Sequence, residues 1–118
     1  MLTTAYLKGP QFDISIKLLV DIGSTYTVIS EKVMRRIGVA VANVQDMLWI
    51  VTGSREEQLP RVRLEQFNCL GQSLSNFPVL VHTFPWRVER HIAGLLGMDF
   101  LKQFPIEIRT QSYEIVVR

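Results

Sequence analysis

The residues best placed for chemistry lie in one stretch, Leu18-Leu19-Val20-Asp21-Ile22-Gly23-Ser24-Thr25-Tyr26-Thr27-Val28-Ile29-Ser30. An apolar run delivers a carboxylate to a glycine turn, and a second apolar run leaves it. Asp21 therefore sits at the mouth of a buried strand, with the hydroxyls of Ser24 and Thr25 beside it. A carboxylate in such a setting can accept a proton or several hydrogen bonds. Gly23 has no Cβ and lets neighbouring chain come close. An Asp-x-Gly turn after a strand is common, so by itself it is weak evidence of a site. Other groupings carry less. His82, His91 and Cys69 follow no zinc-ligand spacing, and neither a metal nor another cofactor is expected. Ser24 lacks the Gly-x-Ser-x-Gly setting of a nucleophilic serine.

Strand patterns must position this loop. Phe12, Ile14, Ile16, Leu18 and Val20 alternate with Asp13, Ser15 and Lys17, the period of a strand with one buried face, after a Lys8-Gly9-Pro10 turn. Beyond the loop, Ser30 caps a predicted helix from Glu31 to about Ile37, with Val33, Met34 and Ile37 on its apolar face and Gly38 as its stop. Arg35 and Arg36 are a basic patch or, more simply, cations at a helix C-terminus. From Met47 to Leu64 the pattern predicts a hairpin: Leu48-Trp49-Ile50-Val51, a polar tip from Thr52 to Glu57, and a return from Leu59. Pro60 and, in the next strand, Leu74 to Val81, Pro78 favour an edge or a bulge. Thr83 to Arg90 has no period and reads as loop. Trp49 and Trp86 are candidates to line a cleft, although single aromatics are more often packing residues.

A second motif follows at Ile92-Ala93-Gly94-Leu95-Leu96-Gly97-Met98-Asp99-Phe100-Leu101, an apolar strand ending in Gly97 and a helix from Met98 to about Gln103. Asp99 either pairs with Arg87 or Arg90 or places a negative charge at the helix start, and the latter needs no assumption about the loop. Ile106-Glu107-Ile108 and Tyr113 to Val117 then form two strands about Thr110-Gln111-Ser112.

Together the two motifs resemble the retropepsin-like aspartic proteases, in a form similar to bacterial and retroelement members. In that family a hydrophobic strand leads into Asp-Thr/Ser-Gly-Ala/Ser, which Asp21, Gly23 and Ser24 match. Late in the chain that family carries two hydrophobic residues and a glycine that pass beneath the active-site loop, a segment that Leu95, Leu96 and Gly97 resemble. The resemblance implies an all-β, closed, small barrel-like domain with one or two short helices and a flap hairpin, whose tip here is Thr52-Gly53-Ser54. It also implies an aspartic endopeptidase acting on peptides or unfolded proteins. That chemistry needs two carboxylates sharing one proton around a water. Asp21 is the sole aspartate in such a setting, so the implied enzyme is a two-fold homodimer with Asp21 from each subunit on the axis. Ile22 departs from the family, which carries there a hydroxyl residue that braces the two loops. The alternative reading is a weakly active or inactive module of the same fold that dimerises or holds peptides. A third is a β-rich interaction domain unrelated to the family.

Composition bounds these readings. A chain of 118 residues fits one domain, taken as residues 1–118, and a net charge of +2 gives no argument for nucleic acid. One cysteine suits a reducing compartment. No leader pattern and no apolar run of membrane-spanning length is apparent, so the expectation is a cytoplasmic domain without a membrane partner.

Overall fold

The structure, a computed structural model, describes residues 1–109 and 111–117, without the side chain of Thr52. The expected turn residue Thr110 lies outside the described residues. The strands are β1 (Leu2–Lys8), β2 (Asp13–Val20), β3 (Val28–Ser30), β4 (Met47–Thr52), β5 (Arg55–Cys69), β6 (Gln72–His82), β7 (Gly94–Leu96), β8 (Ile106–Arg109) and β9 (Glu114–Val117). The helices are α1 (Glu31–Arg36), α2 (Trp86–Glu89) and α3 (Met98–Leu101), with a single 3-10 turn at Val41–Asn43. Among the described residues there are thus three short helices where one or two are expected. The extra one, α2, falls where the sequence reads as loop, because four residues are too few to show a helical period. Likewise α3 stops at Leu101, short of Gln103.

The strand order β1-β2-β7-β3-β6-β5-β4, with a further β1–β5 pairing, closes every strand of that sheet except β4 into a barrel. Closure removes the exposed edges that an open sheet would leave. β2 lies parallel to β7, and β3 parallel to β6, while β7 runs antiparallel to β3. β7 is therefore inserted between the two strands that flank the Asp21 loop. Among the described residues β8 and β9 pair only with each other, in a separate ribbon.

β5 serves two partners in succession, besides the pairing of its far end with β1. Its first part, Arg55 to Pro60, pairs with β4, and from Arg61 it pairs with β6. Pro60, which has no N–H to donate, sits where the strand changes partner. Opposite Glu65 the ladder is interrupted at Asn76, whose φ is +56°, and burial shifts from Leu64 to Phe67 and Cys69. That break shifts the buried face of β5 by one residue.

The core fills the barrel with Leu7, Leu18, Ile29, Met34, Ile37, Leu64, Leu96 and a group of phenylalanines. Phe67 and Phe77 meet at 5.0 Å between ring centroids, and Phe100 of α3 lies edge-on to Phe67 at 5.5 Å. Burying Phe100 completely contributes about 2–3 kcal/mol and anchors the helix that follows the second motif. α1 forms as expected: the Ser30 hydroxyl accepts from the Lys32 N–H, and Val33, Met34 and Ile37 are buried.

Candidate active site

Asp21 directly follows β2, and its N–H donates to the Leu96 carbonyl of β7 at 2.9 Å. The chain then turns sharply: Ser24 N–H donates to the Asp21 carbonyl at 3.1 Å, and Gly23 N–H to Asp21 Oδ1 at 3.0 Å. The Gly23 contact fixes one carboxylate oxygen and leaves the other without a protein donor among the described residues. The Ser24 hydroxyl donates to the Tyr26 carbonyl at 2.7 Å, so it shapes the loop instead of touching Asp21. Ile22 points outward and is 64% exposed.

Beneath the loop the second motif is locked on by hydrogen bonds. Met98 N–H donates to the Ser24 carbonyl at 2.8 Å and Asp99 N–H to that of Thr25 at 3.0 Å. Asp99 Oδ1 accepts from the Thr27 N–H, the Thr27 hydroxyl at 2.7 Å and the Phe100 N–H. The fully buried Thr27 hydroxyl in turn accepts from the Gly97 N–H at 3.1 Å. Of the two expectations for Asp99, the helix start is the one observed, and Arg87 and Arg90 take no part. The Thr27–Asp99 brace escaped the sequence reading because its partners are remote in the chain and neither type marks the pairing.

The crossing is close enough to demand glycine. A Cβ on Gly97 would stand 2.4 Å from the Tyr26 carbonyl oxygen, and one on Gly94 would stand 2.1 Å from that of Val28. The sequence singled out Gly97 but not Gly94, where the approach is tighter.

Asp21, Gly23 and Ser24 border a cleft of about 510 Å³. Tyr26, Val28, Leu59, Leu80, Phe84 and Leu95 line it, together with Trp49, Ile50 and Val51 from the β4–β5 hairpin. Leu95 reaches the cleft, whereas Leu96 is buried in the barrel. The hairpin turns at Gly53-Ser54, a shorter tip than Thr52 to Glu57, because β5 begins at Arg55. Gly53 has φ +61° and nothing within 4 Å of its Cβ position. Trp49 and Val51 are 65% and 72% exposed, so the hairpin presents apolar surface to the cleft and to solvent. Trp86 stands away from the cleft, stacked under Arg90 at 5.3 Å. His82 lines the cleft and His91 another groove, so the two histidines do not converge. Among the described residues no cluster of three or more histidine, cysteine or acidic side chains is arranged to hold a metal. Nor is any helix there long and apolar enough to cross a membrane.

A carboxylate on the floor of an apolar cleft can accept a proton from a water held above it. Comparison with known proteins gives the family and the fold. A family model described as aspartyl protease matches residues 4–100. Comparison with curated protein sequences finds no match. Among solved structures, a retropepsin-like aspartic protease from Rickettsia conorii superposes with a TM-score of 0.74 at 18% identity, covering 98% of this chain and 80% of that one. The retroviral protease-like domain of Ddi1 from Leishmania major gives a TM-score of 0.64 at 16% identity, covering 99% and 87%. The chain belongs to the aspartyl protease family and has the retropepsin-like fold.

Proposed function

We propose that the protein is a homodimeric aspartic endopeptidase whose catalytic groups are the Asp21 carboxylates of two subunits. The observation that carries this reading is the setting of Asp21: among the described residues it is the only carboxylate on the cleft lining, and no lysine or arginine lines that cleft. With no lysine or arginine beside it to bind it as an ion pair, the carboxylate is available to a water and to a second carboxylate. One member of the pair removes a proton from the water as the oxygen attacks the scissile carbonyl. The other, protonated, donates a hydrogen bond to the developing oxyanion, and a proton then reaches the leaving amine. Two such groups cannot both ionise easily at close range, so they titrate as a unit. A single chain brings one carboxylate, hence the second copy. The β4–β5 hairpin then acts as a flap, with Trp49 and Val51 closing over the substrate backbone and excluding water. The substrate is a peptide or an unfolded protein, because a cleft of this kind admits an extended segment.

Ile22 supports a second reading, in which the same dimer holds peptides without cleaving them. It carries no hydroxyl to brace the two loops, and as an exposed apolar group it offers only packing to a partner. One experiment separates the two. Wild type and Asp21→Asn are incubated with a denatured protein at mildly acidic pH, beside sedimentation across a dilution series. For the enzyme, cleavage is lost in the variant and falls more steeply than concentration as the dimer dissociates. Equal cleavage by both forms, or full activity in a strict monomer, would sink the assignment. A dimer that binds but never cleaves selects the second reading.

A further inference from the structure

The cations of this chain are unevenly spread. A second groove, of about 370 Å³, opens between the middle of β2, α1 and the chain after α2. Lys17 comes to it from β2, Lys32 and Arg36 from α1, and Arg90 and His91 from beyond α2, with Glu89 as the sole carboxylate. These five basic side chains are exposed. None of the ion pairs among the described residues uses Lys17, Lys32, Arg36 or Arg90. Glu89 is already engaged, since its Oε1 accepts from the Ser30 hydroxyl and the Phe84 N–H. In a chain of net charge +2, this groove concentrates enough positive charge to leave the remainder net negative.

Fold requirements do not explain the concentration. The helix dipole accounts for Arg36 at the end of α1, but Lys32 lies in the first turn, where a cation is unfavourable. Lys17 and Arg90 come from other elements and add mutual repulsion. A cluster of four cations against one carboxylate attracts an anion.

We propose that the groove is an exosite for acidic stretches of the polypeptide that occupies the cleft. Its position favours that occupant. Leu95 lines the cleft and Ala93, two residues earlier and about 7 Å back along the same extended stretch, lines the groove, so the two openings are neighbours. Its floor carries Ile14, Ile16, Val33 and Ile92, which suit a polypeptide with apolar residues among its acidic ones. No phenylalanine, tyrosine or tryptophan lines it to stack a nucleic-acid base. The proposal rests on the proteolytic reading for its consequence in turnover, but not for binding.

Binding is measured first, by fluorescence anisotropy on Asp21→Asn protein. The probes are a labelled peptide of alternating glutamate and glycine and an equally long one with glutamine for glutamate. The acidic peptide is expected to bind about tenfold more tightly at low salt, with the preference erased in Lys17→Glu/Lys32→Glu/Arg36→Glu. Arg36→Gln alone, a mild surface change, should reduce the preference by about threefold, so that a misfolded triple variant cannot decide the matter. Equal affinity for the two peptides, or a preference untouched by Arg36→Gln, would overturn the exosite. Tighter binding of a single-stranded DNA of equal charge, lost in the same variants, would overturn the polypeptide assignment. In the catalytic arm, wild-type protein receives two substrates sharing one scissile segment, one extended by an acidic stretch. The extension should lower KM about tenfold at constant kcat, and the triple variant should remove that advantage. Cleavage of neither substrate counts against the proteolytic reading, while the binding ratio judges the groove on its own.

Discussion

The floor and the roof of the cleft are built on opposite principles. The floor, from Asp21 to Thr27, is tied to the second motif by backbone bonds from Asp21, Met98 and Asp99 and by the Thr27–Asp99–Gly97 network. At Gly94 and Gly97 it is packed so closely that a methyl group does not fit. The roof, from Trp49 to Arg55, is held at its tip only by the pairing of β4 with β5, and its large side chains are mostly exposed. Few buried contacts and solvent-exposed hydrogen bonds are the marks of a low opening free energy. On the proteolytic reading, the floor serves position and the roof serves movement. A carboxylate must be held within a fraction of an ångström to react, whereas a cover must open for substrate and product.

The strongest way to break the contrast is to force a side chain into the floor. Gly97→Ala sets a methyl against the Tyr26 carbonyl and should cost about 4 kcal/mol or more, read as loss of the cooperative urea transition. Unchanged stability would mean that the loop and β7 are free to separate. Next comes Thr27→Val, which keeps the shape but removes the hydroxyl between Asp99 and Gly97. The expected loss is about 2–3 kcal/mol, since a carboxylate loses one donor and a buried N–H loses its acceptor. Because this loosens the floor, turnover should fall by more than the folded fraction does.

At the roof the order reverses. Gly53→Val puts a branched residue at φ +61° but meets no neighbour, so it should cost only about 1–2 kcal/mol. Activity per folded molecule should nevertheless drop about tenfold, as the tip no longer closes freely. If melting temperature falls while activity per folded molecule holds, the hairpin is only a surface turn. The smallest effect lies outside both regions. Glu31 accepts from the Thr83 hydroxyl and from Arg35, and these donors hold its carboxyl below the usual range. A lowered folded-state value contributes stability above the unfolded value and loses it as pH falls through the folded one. Glu31→Gln should therefore cost a few tenths of a kcal/mol at neutral pH, for an exposed pair, and nothing in strong acid, as thermal melts across pH would show.

The same contrast explains what was legible in the sequence. The Asp21 loop, the Leu95-Leu96-Gly97 crossing and the hairpin stand out because each is a local pattern of apolar runs and glycine. The barrel topology, given by the resemblance, agrees with the observed closure. What the sequence leaves unread depends on remote partners. β1, Leu2-Thr3-Thr4-Ala5-Tyr6-Leu7-Lys8, closes the barrel against β5, but its small and polar residues do not advertise a strand. Asp99 meets Thr27, and Gly94 meets Val28, only once the strands are interleaved. The short α2 depends on Glu89 reaching back to Phe84 and Ser30, again invisible as a period.

The insertion of β7 between β2 and β3 has a consequence in time. The strands beside Asp21 are made early, yet the strand that separates and binds both comes late in the chain. Before Gly94 exists, the Asp21 N–H has no Leu96 carbonyl to meet, and Ser24 and Thr25 lack their donors from Met98 and Asp99. Hairpins of neighbouring strands, such as β1–β2 and β4–β5, close over short loops and can form first. The carboxylate thus acquires its final geometry only after the second motif has been synthesised and threaded into place.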